Sequence, residues 1–136
     1  TFLIEIEPTY PQGGQIVWSW DAWDHLVQDF DPSLPSYGDP RDFPGKIDVN
    51  YEAEGGTAYA ARDWLHTNSI DYNPLSNEIM ISVRGFSELW IIDKDSSGDI
   101  QYRWGNPMAY GRGIEEDQTL FQQHHCHKNI NLSKPN

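Results

Sequence analysis

Apolar residues in this chain fall into short runs that alternate with polar ones at a period of two, the spacing of half-buried β-strands. Residues 2–6 (Phe2, Leu3, Ile4, Glu5, Ile6) and residues 15–20 (Gln15, Ile16, Val17, Trp18, Ser19, Trp20) flank a turn containing Pro8, Pro11, Gly13 and Gly14, which predicts a β-hairpin. Further on, residues 66–72, 78–84, 88–93 and 99–104 read as four strands, with turns at Asn73-Pro74-Leu75-Ser76-Asn77 and over residues 94–98. Four short strands joined by tight turns predict an antiparallel meander over residues 66–104. Its length is close to the roughly 40–45 residues of a four-stranded propeller blade.

An internal repeat supports this reading. Gly14-Gln15-Ile16-Val17-Trp18-Ser19-Trp20 and Gly98-Asp99-Ile100-Gln101-Tyr102-Arg103-Trp104 both read Gly-x-Ile-x-aromatic-x-Trp, and both follow apolar strands that end on an acidic residue, Glu7 or Asp93. They are read as outer hairpins of successive blades. Period two places the Ile, the aromatic and the Trp of each on one face. Between them, residues 21–65 lack periodicity and contain Pro32, Pro35, Pro40, Pro44, Gly55 and Gly56. This stretch is too long for a plain connection. Residues 21–29 are expected to form a short helix with Trp23, Leu26 and Val27 inward, and the remainder an ordered insertion draped over one end of the propeller.

The fold class that follows is all-β: part of a β-propeller, with one complete four-stranded blade, parts of its two neighbours and a long irregular insertion. Residues 1–136 form one partial domain, divided into an outer hairpin (1–20), the insertion (21–65), the complete blade (66–104), and a loop with the start of the next blade (105–136). Such a set of strands cannot close a ring, and open strand edges invite unwanted pairing. The chain is therefore expected to be part of a larger molecule or to assemble with further chains. That the sequence opens at Thr1, with no visible signal peptide, leads to the same expectation: a removed leader or a start inside a longer protein.

Composition narrows the partners. With 136 residues, 38% hydrophobic and 22% charged, the chain has the make-up of one soluble globular domain. A net charge of −12 disfavours nucleic acid and anionic membrane surfaces, and suits solubility or a cationic partner. No apolar run reaches the ~20 residues of a membrane-spanning helix. The single cysteine, Cys126, excludes an internal disulfide.

Candidate chemistry centres on two histidines. His66 opens the first strand of the complete blade, and Asn68 follows on the same face. The innermost strand of a propeller lines its channel, where an imidazole can donate to an anion or act as acid or base. The competing reading is a buried histidine satisfied by a backbone carbonyl. His124 occupies the equivalent place at the start of the next blade, in the run Gln122-Gln123-His124-His125-Cys126-His127. That run also raises a metal-binding reading. Strand alternation, however, sends His124 and Cys126 to one side and His125 and His127 to the other, and no second cluster at zinc spacing accompanies it. Residues 93–100 resemble the start of a calcium loop, but Trp104 stands where a bidentate Glu is required, so a hairpin turn is expected. Arg84, Arg103 and Arg112 are candidates to hold an oxyanion or to pair with carboxylates. No glycine-rich phosphate loop and no Gly-x-Ser-x-Gly elbow is present.

Four segments carry a family resemblance: Trp23-Asp24-His25-Leu26-Val27-Gln28-Asp29, Asp63-Trp64-Leu65-His66-Thr67-Asn68-Ser69-Ile70-Asp71-Tyr72-Asn73, Tyr102-Arg103-Trp104-Gly105-Asn106-Pro107 and Leu120-Phe121-Gln122-Gln123-His124. In order and spacing they resemble the arylsulfotransferases, bacterial enzymes that work without a nucleotide sulfate donor. The resemblance spans about residues 2 to 127. It implies a six-bladed propeller in a periplasmic or secreted protein that uses no cofactor. Its reaction moves a sulfuryl group from a phenolic sulfate ester to another phenol through a sulfated histidine. It further implies channel positions for His66 and His124 in supporting roles. The nucleophilic histidine and an arginine after the second histidine are expected beyond Asn136, hence absent from these residues. Asn68, Trp64 and Arg84 are the candidate substrate-binding residues, and Trp64 or Trp23 the aromatic walls for a phenol ring. Two other readings stand beside this one: a non-catalytic propeller fragment that binds a ligand or a protein, and a metal-binding β-protein using residues 124–127.

Overall fold

The computed structural model describes residues 1–52 and 63–127. Its strands lie close to the predicted ones. Strands β1 (Phe2–Pro8) and β2 (Gly14–Asp21) form an antiparallel hairpin. The insertion contributes a two-residue parallel pair, β3 (Leu26–Val27) with β4 (Ile47–Asp48). Strands β5 (Thr67–Asn73), β6 (Glu78–Val83), β7 (Glu88–Asp93) and β8 (Ile100–Trp104) make one antiparallel sheet in sequential order. The fold is all-β, with mostly antiparallel sheets and short 3-10 turns between strands.

Alternation along β6 and β7 builds the core. Ile79, Ile81 and Val83 face the same side as Trp90 and Ile92, all buried, while Met80, Leu89 and Ile91 face the other side and are only partly covered. Phe86, fully buried in the 3-10 turn Arg84–Phe86, is the hub: Tyr51, Trp64 and Trp90 pack on its ring with centroids 5.1, 5.2 and 5.7 Å away. The β1–β2 hairpin lays Leu3 and Trp18 against this core. Lys94 pins it there: its ammonium pairs with Glu5 and lies over the rings of Trp18 and Tyr72 at 5.4 and 4.9 Å.

The two copies of the Gly-x-Ile-x-aromatic-x-Trp repeat share a bulge at the same repeat position: in β2 the pairing shifts between Glu5 and Ile6 and leaves out Val17. In β8 the pairing shifts between Ile91 and Ile92, so that Ile92 faces Ile100 and Ile91 faces Tyr102. This bulge at Gln101 inserts one residue and breaks the alternation. Ile100 and Arg103 turn inward, whereas Tyr102 and Trp104 are exposed, contrary to the shared face expected from the repeat.

The expected helix over residues 21–29 is also replaced. Asp21 caps a single 3-10 turn, Ala22–His25, by accepting from the Trp23 amide at 3.1 Å, and the chain then becomes extended to pair as β3. A turn this short has no helical stability of its own, so sheet pairing with β4 decides the conformation. Val27 is buried as expected, but Trp23 is 71% exposed and away from the core.

The insertion lies along β8. Gly45 accepts from the Ile100 amide at 2.8 Å, an approach so close that a Cβ on Gly45 would stand 3.0 Å from the Ile100 carbonyl oxygen. Arg103 holds the rest: it donates to the Lys46 carbonyl at 2.9 Å and to the fully buried Glu88 carboxylate at 2.5 Å. Trp90 donates to the same carboxylate at 2.8 Å. Gly55 and Gly56, within the insertion, and residues 128–136 of the expected next blade lie outside the described residues.

Candidate active site

Two segments converge at the corner between β6 and β7. The first is the turn from Asp63 to His66 that leads into β5. Its carbonyls are tied down at successive positions: the Gly85 amide donates to Leu65 at 3.0 Å and the Arg84 amide to His66 at 3.3 Å. Position 85 must be glycine for this approach, since a Cβ there would lie 2.1 Å from the Trp64 carbonyl oxygen. Leu65 is buried, and the Trp64 ring leans edge-on against Phe86. His66 itself has φ of +45°, a left-handed conformation that costs a non-glycine residue energy and is held here by the bonds around it.

The second segment, residues 119–126, has no strand of its own. It is docked by side chains and carbonyls of the sheet. The Thr119 amide donates to the Gly105 carbonyl at 2.7 Å, and the Gln122 amide to Ser87 Oγ at 2.9 Å. The Gln123 side-chain amide donates to the Glu88 carbonyl at 2.9 Å and to Ser82 Oγ at 3.2 Å. The Cys126 amide donates to Ser69 Oγ at 2.8 Å. Positive φ at Gln122 (+48°) and His125 (+69°) breaks any strand alternation. His124 therefore opens no strand among the described residues, contrary to expectation.

Between the Gln123 and Cys126 anchors, His124 is carried to His66. Their ring centroids are 5.9 Å apart, at 71° between planes, an edge-on meeting. His66 Nδ1 is 2.6 Å from Asp63 Oδ2. Arg84 reaches the same corner, its guanidinium donating to Gln122 Oε1. Asn68 sits where the β5–β6 pairing shifts, and its Nδ2 donates to the Gln123 carbonyl at 2.8 Å. The amide oxygens of Asn68 and Gln123 are buried without a hydrogen-bond partner, an arrangement that natural proteins tolerate rarely. The corner thus offers two imidazoles and one guanidinium: groups that move protons and hold anionic oxygens.

Among residues singled out from sequence, His66, His124, Arg84 and Asn68 come together here. Trp64 adjoins them but gives much of its ring to the core, and Trp23 lies elsewhere on the insertion. Arg103 is committed to the buried pair with Glu88. The run 124–127 does not converge on one point. Cys126 is buried against Ser69, and His127 approaches Asp71 at 3.4 Å. No cluster of three or more His, Cys, Asp or Glu suited to a metal ion occurs among the described residues. In the acidic turn, Asp93 Oδ1 accepts from the Asp95 amide and Asp95 Oδ1 from Asn77, so these carboxylates serve the hairpin. Sequence reasoning missed Asp63 and Gln123. The Asp-x-x-His spacing at 63 and 66 was a signal for the first. Nothing local announced the second, whose partners are Ser82 and Glu88.

Known proteins bear on this corner in one respect. A family model described as Arylsulfotransferase (ASST) matches residues 2–133. No curated protein and no solved structure matches the chain.

Proposed function

The chain belongs to the arylsulfotransferase family, and on that premise we propose that its His66–His124 corner takes part in moving a sulfuryl group from an aryl sulfate ester to a phenolic acceptor. The observation that carries this reading is the edge-on meeting of the two imidazoles, 5.9 Å between centroids, with the Arg84 guanidinium bonded to Gln122, two residues before His124. Sulfuryl transfer resembles phosphoryl transfer, with a loose transition state and charge spread over three oxygens. Catalysis then consists of alignment and of donors aimed at those oxygens.

The step balances with a histidine nucleophile, which the family resemblance expects beyond Asn136, and a proton carrier at this corner. A neutral imidazole nitrogen attacks sulfur, an N–S bond forms, and the S–O bond to the aryl ring breaks. A second imidazole, protonated, gives its proton to the leaving phenoxide. In the second half the acceptor phenol returns a proton to that imidazole, its oxygen attacks sulfur, and the N–S bond breaks. Arg84 offers a positive charge to sulfuryl oxygens, and Asn68 holds the segment that carries His124 through its bond to the Gln123 carbonyl. On this reading His66 and His124 take the supporting roles, with the nucleophilic histidine and a further arginine supplied from beyond Asn136 as the family resemblance implies, and Arg84 is a candidate to bind substrate.

The sheets are read as neighbouring blades of a propeller. Apolar side chains remain exposed on both outer faces: Phe2, Ile4 and Ile16 on the hairpin, Tyr102 and Trp104 on the meander. Exposed apolar faces of this kind mark surfaces meant to be covered. Further blades, in the same molecule or in other chains, would cover them. A periplasmic or secreted location accompanies the family. Among the described residues no helix is long and apolar enough to cross a membrane.

The test is exchange between 4-nitrophenyl sulfate and phenol, with release of 4-nitrophenol and formation of phenyl sulfate followed together. Turnover by the protein, lost in His66→Ala and in His124→Ala, is expected. Binding of aryl sulfates with no turnover in any form of the protein would instead favour the non-catalytic binding reading.

A further inference from the structure

The geometry points to Asp63 as the positioning residue of the site: its carboxylate holds the Nδ1–H of His66, fixing the ring so that Nε2 is the nitrogen that exchanges the proton. The inference rests on the sulfuryl-transfer reading for its catalytic meaning, but its structural content stands alone.

Three observations carry it. Asp63 Oδ2 is 2.6 Å from His66 Nδ1, an ion-pair contact in which the carboxylate can only accept. A neutral imidazole in that contact must carry its proton on Nδ1, which leaves the lone pair on Nε2. His66 has a left-handed φ of +45°, and its ring meets Asp63 three positions earlier, so the strained backbone and the ion pair belong to one turn. That turn is over-determined from outside by the Gly85 and Arg84 amides on the Leu65 and His66 carbonyls.

The chemistry gives the arrangement its use. A general acid–base imidazole is recognised by a third group that orients it and steadies the imidazolium. In the first half-reaction, protonated His66 gives its Nε2 proton to the leaving phenoxide and remains bonded to Asp63 through Nδ1–H. In the second half it recovers a proton from the acceptor phenol at the same nitrogen. Asp63 never changes protonation. With a side chain 57% exposed, Asp63 adds little to stability, as surface ion pairs do. Its contribution is the tautomer.

The test compares wild type, Asp63→Asn and Asp63→Glu by two readouts. Two-bond proton–nitrogen NMR correlations of the His66 ring, assigned by their loss in His66→Gln, report which nitrogen carries the proton at neutral pH. Steady-state exchange between 4-nitrophenyl sulfate and phenol reports kcat and KM. We expect neutral His66 to be protonated at Nδ1 in wild type and in Asp63→Glu, and at Nε2 in Asp63→Asn, where the amide now donates to Nδ1. We expect kcat to fall about 100- to 10,000-fold in Asp63→Asn with KM nearly unchanged, and to recover in part in Asp63→Glu. An unaltered tautomer in Asp63→Asn, or an unaltered kcat in an active protein, overturns the assignment. If wild type transfers no sulfuryl group, the functional reading fails, and the NMR comparison still decides whether Asp63 sets the tautomer.

Discussion

Asn68 donates from Nδ2 to the backbone carbonyl of Gln123 at 2.8 Å, and this bond ties the first residues of β5 to the segment that carries His124. Sheet and segment also meet here through Ser69, Ser82, Arg84, Ser87 and Glu88, so the distance between the two imidazoles depends on a few side-chain bonds rather than on a ladder. Replacing Asn68 by Ala removes one such bond at a cost to stability of about 1 kcal/mol. It releases the Gln123 carbonyl, and with it the placement of His124. Misplacement on the order of 1 Å can cost about 100-fold in rate. The expected outcome is a denaturation midpoint close to wild type with a large loss of transfer.

Gly85→Ala tests the other half of the corner. The new methyl would stand 2.1 Å from the Trp64 carbonyl oxygen, so the turn to His66 must move. Overpacking of this kind costs roughly 1–3 kcal/mol. Urea denaturation should show that loss. A spectroscopic label on His66 should report a changed environment even under conditions where the variant is fully folded.

The buried Glu88–Arg103 pair makes a pH-dependent prediction. Burial pushes the Glu88 carboxyl above the ordinary glutamate value of 4.5, and Arg103 pulls it back. With the folded pKa raised, the folded state holds the proton to higher pH than the unfolded chain does. The contribution of this group to stability therefore falls as pH rises from 4.5 through the folded value. Arg103→Met removes the opposing attraction and leaves a buried charge unpaired, at a cost of about 3–5 kcal/mol near neutral pH. That cost should shrink as the solution is acidified toward the unfolded pKa, and a urea midpoint measured against pH reads it. Glu88→Gln combined with Arg103→Met should be less harmful than Arg103→Met alone.

Cys126 is buried, and burial pushes its thiol above the ordinary cysteine range, outweighing the Ser69 hydroxyl that hydrogen-bonds to the sulfur. The thiolate is the reactive form. Alkylation of the native protein at neutral pH should be much slower than in urea, and equal rates would show that the 119–126 segment is not docked.

The strands were legible because one face of each is buried, and that imprints a period of two on residues such as Ile79, Ile81 and Val83. The bulge at Gln101 was not, since an extra residue in β8 leaves no mark until β7 is laid beside it. Trp23 was misplaced for a related reason: apolar residues at helical spacing do not make a helix when two of them pair with β4 instead. At the site, His66, His124, Arg84 and Asn68 could be singled out by residue type and by family resemblance. Their approach depends on Ser87, Ser82 and Gln123, small or polar residues whose partners are distant in sequence, and on a left-handed turn at His66 that no local pattern announces.

The claim that His66 and His124 act on one sulfuryl group is tested most directly by trapping it. The protein is incubated with a radiosulfur-labelled aryl sulfate without acceptor, unfolded in alkali to preserve N-sulfated histidine, and mapped by peptide. The expected result is label on a histidine, discharged by phenol and formed far more slowly when both His66 and His124 are replaced by alanine. Label that forms at the wild-type rate in the double variant, or a protein that turns over substrate without ever carrying label, would contradict it.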